Sequence, residues 1–440
     1  MNIAPMTVTT VSRGRSFRAM LPGLGLALAL AAGITLRFIY PDDIEWQADQ
    51  IWTFVHAQQM VAGGVWPWLG MASSVGLPNP GLSLWVFAGL FSIFDVKTPP
   101  ELGQAVQSVN AAALIAFVVF AFTAIPKDRR EPWLWAAAMW AVNPVAVIYE
   151  RKVWPQCVLP IASVAFIAAW HFRRAAGAAF VWGLLGPLMA QVHMGAACLA
   201  LAVAAWTLVQ DRNAFPWKGW LAGSVVGALP ALPWLFEVLS QHGGTSLGLS
   251  APNFSFYLRW PTQPFGAGIE HMLGRAAMLD YLSGALLTGR PTYLMALVYA
   301  VLIGATLVIL VRAIRVIRAD GWPAARGVFF GSSPETLLIT ATFWGYGGLL
   351  TLLTLFGAGS RRHCLIVVAP IMALWAVLTV MYGDRKPGHS RARALLVVLC
   401  LGQAVLSAGL LSYIHRTAII KGSYGATWRA QQPGFVATER

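Results

Sequence analysis

Apolar runs of about 20 residues recur along almost the whole chain, and a helix of that length matches a hydrocarbon core about 30 Å thick. They fall at about 19–39, 102–125, 131–149, 157–172, 175–191, 194–210, 217–238, 292–311, 336–356, 364–381 and 394–414. Only 11% of the 440 residues are charged, against about 25% in a soluble domain, so a water-facing surface of this size could not be clothed. A soluble enzyme and a disordered chain are both excluded. The pattern predicts an all-α polytopic membrane protein of about 11 transmembrane helices, with 1–440 as a single membrane-embedded domain.

Charge orients the chain. A leader with Arg13, Arg15 and Arg18 precedes the first run, which is long and meets no small-residue cleavage site before Arg37-Phe38-Ile39-Tyr40, so it reads as an uncleaved helix. The segment 81–95 is short and ends in Asp95 and the Pro99-Pro100 pair. If it lies in the interface, 18 of the 31 Lys/Arg and six of the 17 acids share the side of the amino terminus, leaving 13 Lys/Arg and 11 acids on the other. If it crossed, Lys127-Asp128-Arg129-Arg130 and Arg173-Arg174 would face outward, against the basic excess of cytoplasmic loops. The amino terminus is therefore expected inside and the carboxyl terminus outside. The net charge of +14 becomes mainly a topology signal, and no nucleic-acid partner follows from it. Cys157, Cys198, Cys364 and Cys400 show no metal-ligand spacing and read as small core residues.

Two outer segments exceed the roughly 2 to 8 residues of a plain connection: a first loop, 40–101, and a second, 239–291. The first opens with Asp42, Asp43, Glu45 and Asp49 just outside the first span. From 47 to 62 the pattern predicts a surface helix ended by Gly63-Gly64, with Asp49 in its first turn, where the positive helix end favours a carboxylate. The stretch 81–95 makes a second interfacial helix. Such acids can be only a solvated face, or a carboxylate held at the interface for catalysis. At the outer end of the third run stand Glu150, Arg151 and Lys152, which suit either a snorkelling anchor or a phosphate site beside an acid. His193 lies at the outer level between the fifth and sixth runs, and Arg361, Arg362 and His363 lie between the ninth and tenth. The chain has no Walker-type phosphate loop, G-x-G-x-x-G, nucleophile elbow or H-E-x-x-H, which speaks against an ATP-driven pump or a nicotinamide enzyme.

These motifs, in order, are A-D-Q-I-W-T-F-V-H-A-Q-Q-M-V-A-G-G-V-W-P, G-M-A-S-S-V-G-L-P-N-P-G-L, E-R-K-V-W-P-Q-C-V-L-P, Q-V-H-M and S-R-R-H-C-L-I-V-V-A-P. Together they resemble the GT-C superfamily of integral-membrane glycosyltransferases, of the aminoarabinose-transferase and protein-mannosyltransferase type, over most of 19–381. The resemblance implies transfer of a sugar from a polyprenyl-phosphate donor to a glycolipid, polysaccharide or protein acceptor, on the periplasmic face of a bacterial inner membrane. It matches Asp49 to the family's loop Asp, with Asp43 as second choice, and places Glu150 at the second acidic position, where many relatives keep the following base, here Arg151. Gln50 stands where the family usually has Glu. Arg151, Lys152, His193, Arg361, Arg362 and His363 would then meet the donor phosphate. Some members bind a divalent metal at the acidic loop and others do not, so no cofactor is certain. A transporter or flippase of a lipid-linked saccharide is the alternative, and it predicts charged or broken-helix sites near the bilayer midplane.

Overall fold

The computed structural model describes residues 17–73, 77–211, 215–241, 250–330, 333–357, 362–382 and 390–435. Each of the eleven apolar runs is helical. Among the described residues six helices are long and apolar enough to cross a membrane: Pro99–Thr123, Trp217–Ser240, Leu294–Ala319, Pro334–Thr354, Arg362–Tyr382 and Ser390–Thr417. Four more runs form the shorter apolar helices Gly23–Phe38, Pro155–His171, Ala176–Val192 and Gly195–Asp211. The remaining one is broken by Asn143-Pro144. Helix Arg130–Val142 stops there, and Asn143 caps a new short helix, Pro144–Tyr149, by accepting from the Val145 and Ala146 amides at 3.1 Å. The protein is an all-α, multi-pass membrane protein with one continuous apolar core.

Helices approach closely where small residues permit it. A side chain at Gly33 would meet the Ala141 carbonyl oxygen at 2.5 Å, so glycine lets the first span lie against the third. The segments assigned to the inner side are tied to one another by their few acids. Arg129 pairs with Glu335, Arg393 holds Glu131 through two bonds of 2.6 and 2.7 Å, and Arg173 and Arg174 share Asp211.

Residues 40–101 contain two helices, Ala48–Val61 and Leu82–Phe94, joined by a small antiparallel pair, Leu69–Ala72 with Pro78–Pro80. The first helix buries Phe54, Ala57 and Met60 against the protein and leaves Ile51, Val55 and Val61 exposed. Apolar residues exposed beside Gln58 and Gln59 suit a helix lying at an interface. After the last long helix the chain turns back onto this loop: the Trp46 amide donates to Ala426, the Trp428 amide to Ile44, and Glu45 bridges Thr427. The carboxyl-terminal segment thus lies on the same side as the first outer loop.

Candidate functional site

A cavity of about 690 Å³ opens where helix ends and both long loops converge. Asp49, Lys152, His193, Arg362 and His363 line it, gathering residues from four separate stretches of sequence. Volumes of about 300–1,000 Å³ are typical of small-molecule sites.

Asp49 is positioned by helix Ala48–Val61. Gln47 caps that helix, and Gln50 reaches back to the Gln47 amide at 3.2 Å, completing a capping box. Gln50 is buried in this role, which requires only an acceptor oxygen. Gln47 in turn donates to the Tyr424 carbonyl at 2.6 Å, fixing the helix start to the carboxyl-terminal segment. Among the described residues nothing binds the half-buried Asp49 carboxylate. The facing wall, Met71, Ala72, Ser73 and Asn79, is stiffened by Asn79 donating to Met71 O at 2.8 Å and by Trp234 donating to Pro78 O at 2.9 Å. A Cβ at Gly81 would lie 2.1 Å from the Pro67 oxygen, so only glycine admits this loop packing.

Lys152 is buried, paired with Glu45, and surrounded by the rings of Tyr149, Trp154 and Tyr424 at 5.0 to 5.7 Å. Burial alone would lower its ammonium, but the Glu45 carboxylate and Tyr149 hold it above the ordinary lysine range, so it stays charged. Burial pushes Glu45 above the usual carboxylate range, with Lys152 opposing. Arg362 donates to Gly268 O at 3.0 Å and to Glu270 at 2.8 Å, which anchors it to the second outer loop. That loop also brings Arg259 and His271 into the lining. Burial, with the Arg362 and Arg259 charges, pulls His271 below the ordinary histidine value, leaving it neutral at neutral pH. Among the described residues the cavity therefore presents the cations Lys152, Arg259 and Arg362 against the acids Glu45 and Asp49.

Asp43, Glu150 and Arg151 are not brought to this cavity. Asp43 is buried and holds the carboxyl-terminal segment, accepting from Arg429 at 2.8 Å and contacting His415 at 2.6 Å. Glu150 is fully enclosed, bound by Arg37 at 2.8 and 2.5 Å and by the Trp140 indole at 2.6 Å. Arg151 donates to the carbonyls of Leu36, Arg37, Ile39 and Tyr40 at 2.6 to 3.1 Å, satisfying the otherwise unpaired end of the first span. Three charges in succession thus divide into two internal ties and one cavity lysine. Arg361 lies outside the described residues. Sequence reasoning counted Glu45 only among the acids of the first loop, and did not assign Arg259, His271, Cys364 or Ser423 to the site. Cys364 follows His363 directly, and Arg259 and His271 belong to the second long loop.

Among the described residues the acidic loop does not gather the donors a divalent ion needs. Glu45 is engaged by Lys152, and among the described residues no group of three or more His, Cys, Asp or Glu donors includes Asp49.

No protein-family model matches the chain, and no curated protein matches it. Solved structures similar to it are an oligosaccharyltransferase and ArnT. The Archaeoglobus fulgidus oligosaccharyltransferase in its apo form gives a TM-score of 0.47 at 13% identity, covering 95% of this chain and 59% of that one. The chain thus spans about three fifths of that protein's length. ArnT from Cupriavidus metallidurans in the apo state gives 0.42 at 15% identity, covering 92% of this chain and 79% of that one. The same ArnT bound to undecaprenyl phosphate gives 0.39 at 15% identity, over 89% and 79%.

Proposed function

We propose that the protein is a glycosyltransferase of the GT-C type, moving a sugar from a polyprenyl-phosphate donor to an acceptor hydroxyl on the periplasmic face of a bacterial inner membrane. The observation that carries this reading is the cavity itself: Asp49, whose carboxylate nothing engages among the described residues, shares it with Lys152, Arg259 and Arg362. A carboxylate within about 3 Å of an acceptor hydroxyl takes its proton as the oxygen attacks the anomeric carbon. The bond to the lipid phosphate breaks in the same step, and charge grows on the departing phosphate. Fixed cations beside that phosphate gain most in the transition state. Arg362 suits this role because its guanidinium is forked and already aimed by Gly268 and Glu270. The exposed apolar residues Ile51, Val55 and Val61 support a site at lipid level, where the prenyl tail stays in the bilayer.

Purified protein in detergent, where no two leaflets exist, is expected to release polyprenyl phosphate and glycosylate the acceptor when given both substrates. Mass spectrometry of envelope lipids and glycans from a deletion strain identifies which donor and acceptor to supply. A flippase would show no turnover in detergent, and that result, with substrates so identified, overturns the assignment. Arg362→Gln is expected to lower kcat/KM for the donor about 10- to 100-fold, the loss of one charge-assisted bond to the departing phosphate. An unchanged kcat/KM would remove Arg362 from the phosphate site.

A further inference from the structure

Two segments about 170 residues apart converge on one wall of the cavity, bringing together His193, His363 and Cys364. One imidazole nitrogen from each histidine and the sulfur of Cys364 all lie within 4.8 Å of one another, with Cys364 Sγ 3.9 Å from His193 Nε2. The two imidazole rings meet edge to face at 5.2 Å.

Each donor is placed by a separate structural device. His193 ends helix Ala176–Val192 in extended geometry, its amide bound to Met189 O at 2.9 Å and its carbonyl receiving the Ala196 amide at 2.8 Å, so the ring is carried on a tight corner between two helices. Gly195 completes that corner: a Cβ there would stand 2.9 Å from His193 Nε2 and 3.7 Å from Cys364 Sγ, filling the space between the donors. Cys364 and His363 lie on the turn Arg362–Val368. The Cys364 carbonyl accepts the hydroxyl of fully buried Tyr346 at 2.6 Å, and His363 packs edge-on against Trp154 at 5.1 Å.

We infer that His193, His363 and Cys364 bind one soft divalent transition-metal ion, with zinc the best match, whose remaining coordination position opens onto the cavity. Tetrahedral zinc with bonds of about 2.0–2.1 Å to nitrogen and about 2.3 Å to sulfur sets its donors roughly 3.3 to 3.8 Å apart, so side-chain shifts of at most about 1 Å complete the site. Two imidazoles and a thiolate select zinc or its borderline-soft neighbours over magnesium, calcium and manganese, which prefer oxygen. Binding would release the Cys364 thiol proton to solvent. Three protein ligands leave a fourth position for water or for an oxygen of a molecule in the cavity. This donor set differs from the acidic loop, and it stands on its own geometry whether or not the transferase reading holds.

The test is metal content and spectroscopy of full-length protein purified without an affinity tag. Protein equilibrated with zinc and passed through a desalting column is expected to carry about one zinc per chain by plasma mass spectrometry. Loading with cobalt instead is expected to give a thiolate-to-cobalt charge-transfer band and tetrahedral d–d absorption. Cys364→Ser should lose the charge-transfer band and at least tenfold in zinc affinity, while eluting as the wild type does in size exclusion. If that variant does not fold, His363→Gln is measured in its place, with the same tenfold loss expected. Wild-type protein without stoichiometric zinc, a cobalt form lacking the thiolate band, or a folded variant with undiminished affinity would each overturn the site. Zinc bound by protein that does not transfer sugar would overturn only the proposed function, and transfer by metal-free protein without zinc affinity only this inference.

Discussion

Asp49→Asn protein is expected to insert, fold and bind donor much as the wild type does, yet to lose transfer by about 10²- to 10⁴-fold, the usual contribution of a positioned general base. The substitution keeps shape and removes only the capacity to take a proton. Little of the fold depends on that carboxylate. The start of helix Ala48–Val61 is held by Gln47 and Gln50, and where Asp49 does take part, through the Thr53 hydroxyl at 2.8 Å, it uses its backbone carbonyl. The cations of the cavity are also fixed without it, Lys152 by Glu45 and Arg362 by Glu270 and Gly268. Donor KM and thermal midpoint should therefore stay near wild-type values while kcat collapses. Wild-type turnover by the purified variant would remove Asp49 from the chemistry, and a collapse in thermal midpoint would mean that it acts in folding.

How far the sequence revealed this arrangement depends on what each residue type reports. The apolar runs reported reliably, because in a bilayer a continuous apolar run of about 20 residues satisfies its own backbone only as a helix, and helix length is fixed by thickness. All eleven runs are helical for that reason. Orientation carried the next step, since placing Asp49, Lys152, His193, Arg362 and His363 on one side made a shared cavity expected before any contact was visible. What stayed hidden was which of several adjacent charges turn inward. Glu150, Arg151 and Lys152 are consecutive, yet they form the turn that follows helix Pro144–Tyr149, and one meets Arg37, one the carbonyls of the first span and one the cavity. Asp43 and Asp49 differ in the same way: Arg429 and His415, from the far end of the chain, claim the first and leave the second to the cavity. Cys364 is buried in the core as its apolar context suggests, but its approach to His193, 171 residues distant, leaves no sequence signal.

The buried pair Arg37–Glu150 supplies the second large expected effect, and it separates folding from chemistry. Both side chains are fully buried. Arg37 also donates to Gly33 O and Ala141 O at 2.6 Å, and Glu150 takes the Trp140 indole at 2.6 Å, so the pair fastens the first span to the third where Gly33 brings them closest. Removing one partner strands the other charge away from water, which costs about 3–5 kcal/mol, whereas replacing both with apolar residues of similar volume is often close to neutral. Arg37→Met alone and Glu150→Leu alone are each expected to lower stability by about that amount. The double variant should recover most of the loss, and thermal unfolding in detergent measures the cycle. Transfer activity of the double variant then decides what Glu150 is for. Bound by Arg37 and Trp140, its carboxylate does not line the cavity that holds Asp49, so the refolded pair-less protein should turn over within a few-fold of wild type. A double variant that is as stable as wild type but inactive would make Glu150 part of the chemistry after all, and would require the helix end at Tyr149 to rearrange when substrate binds.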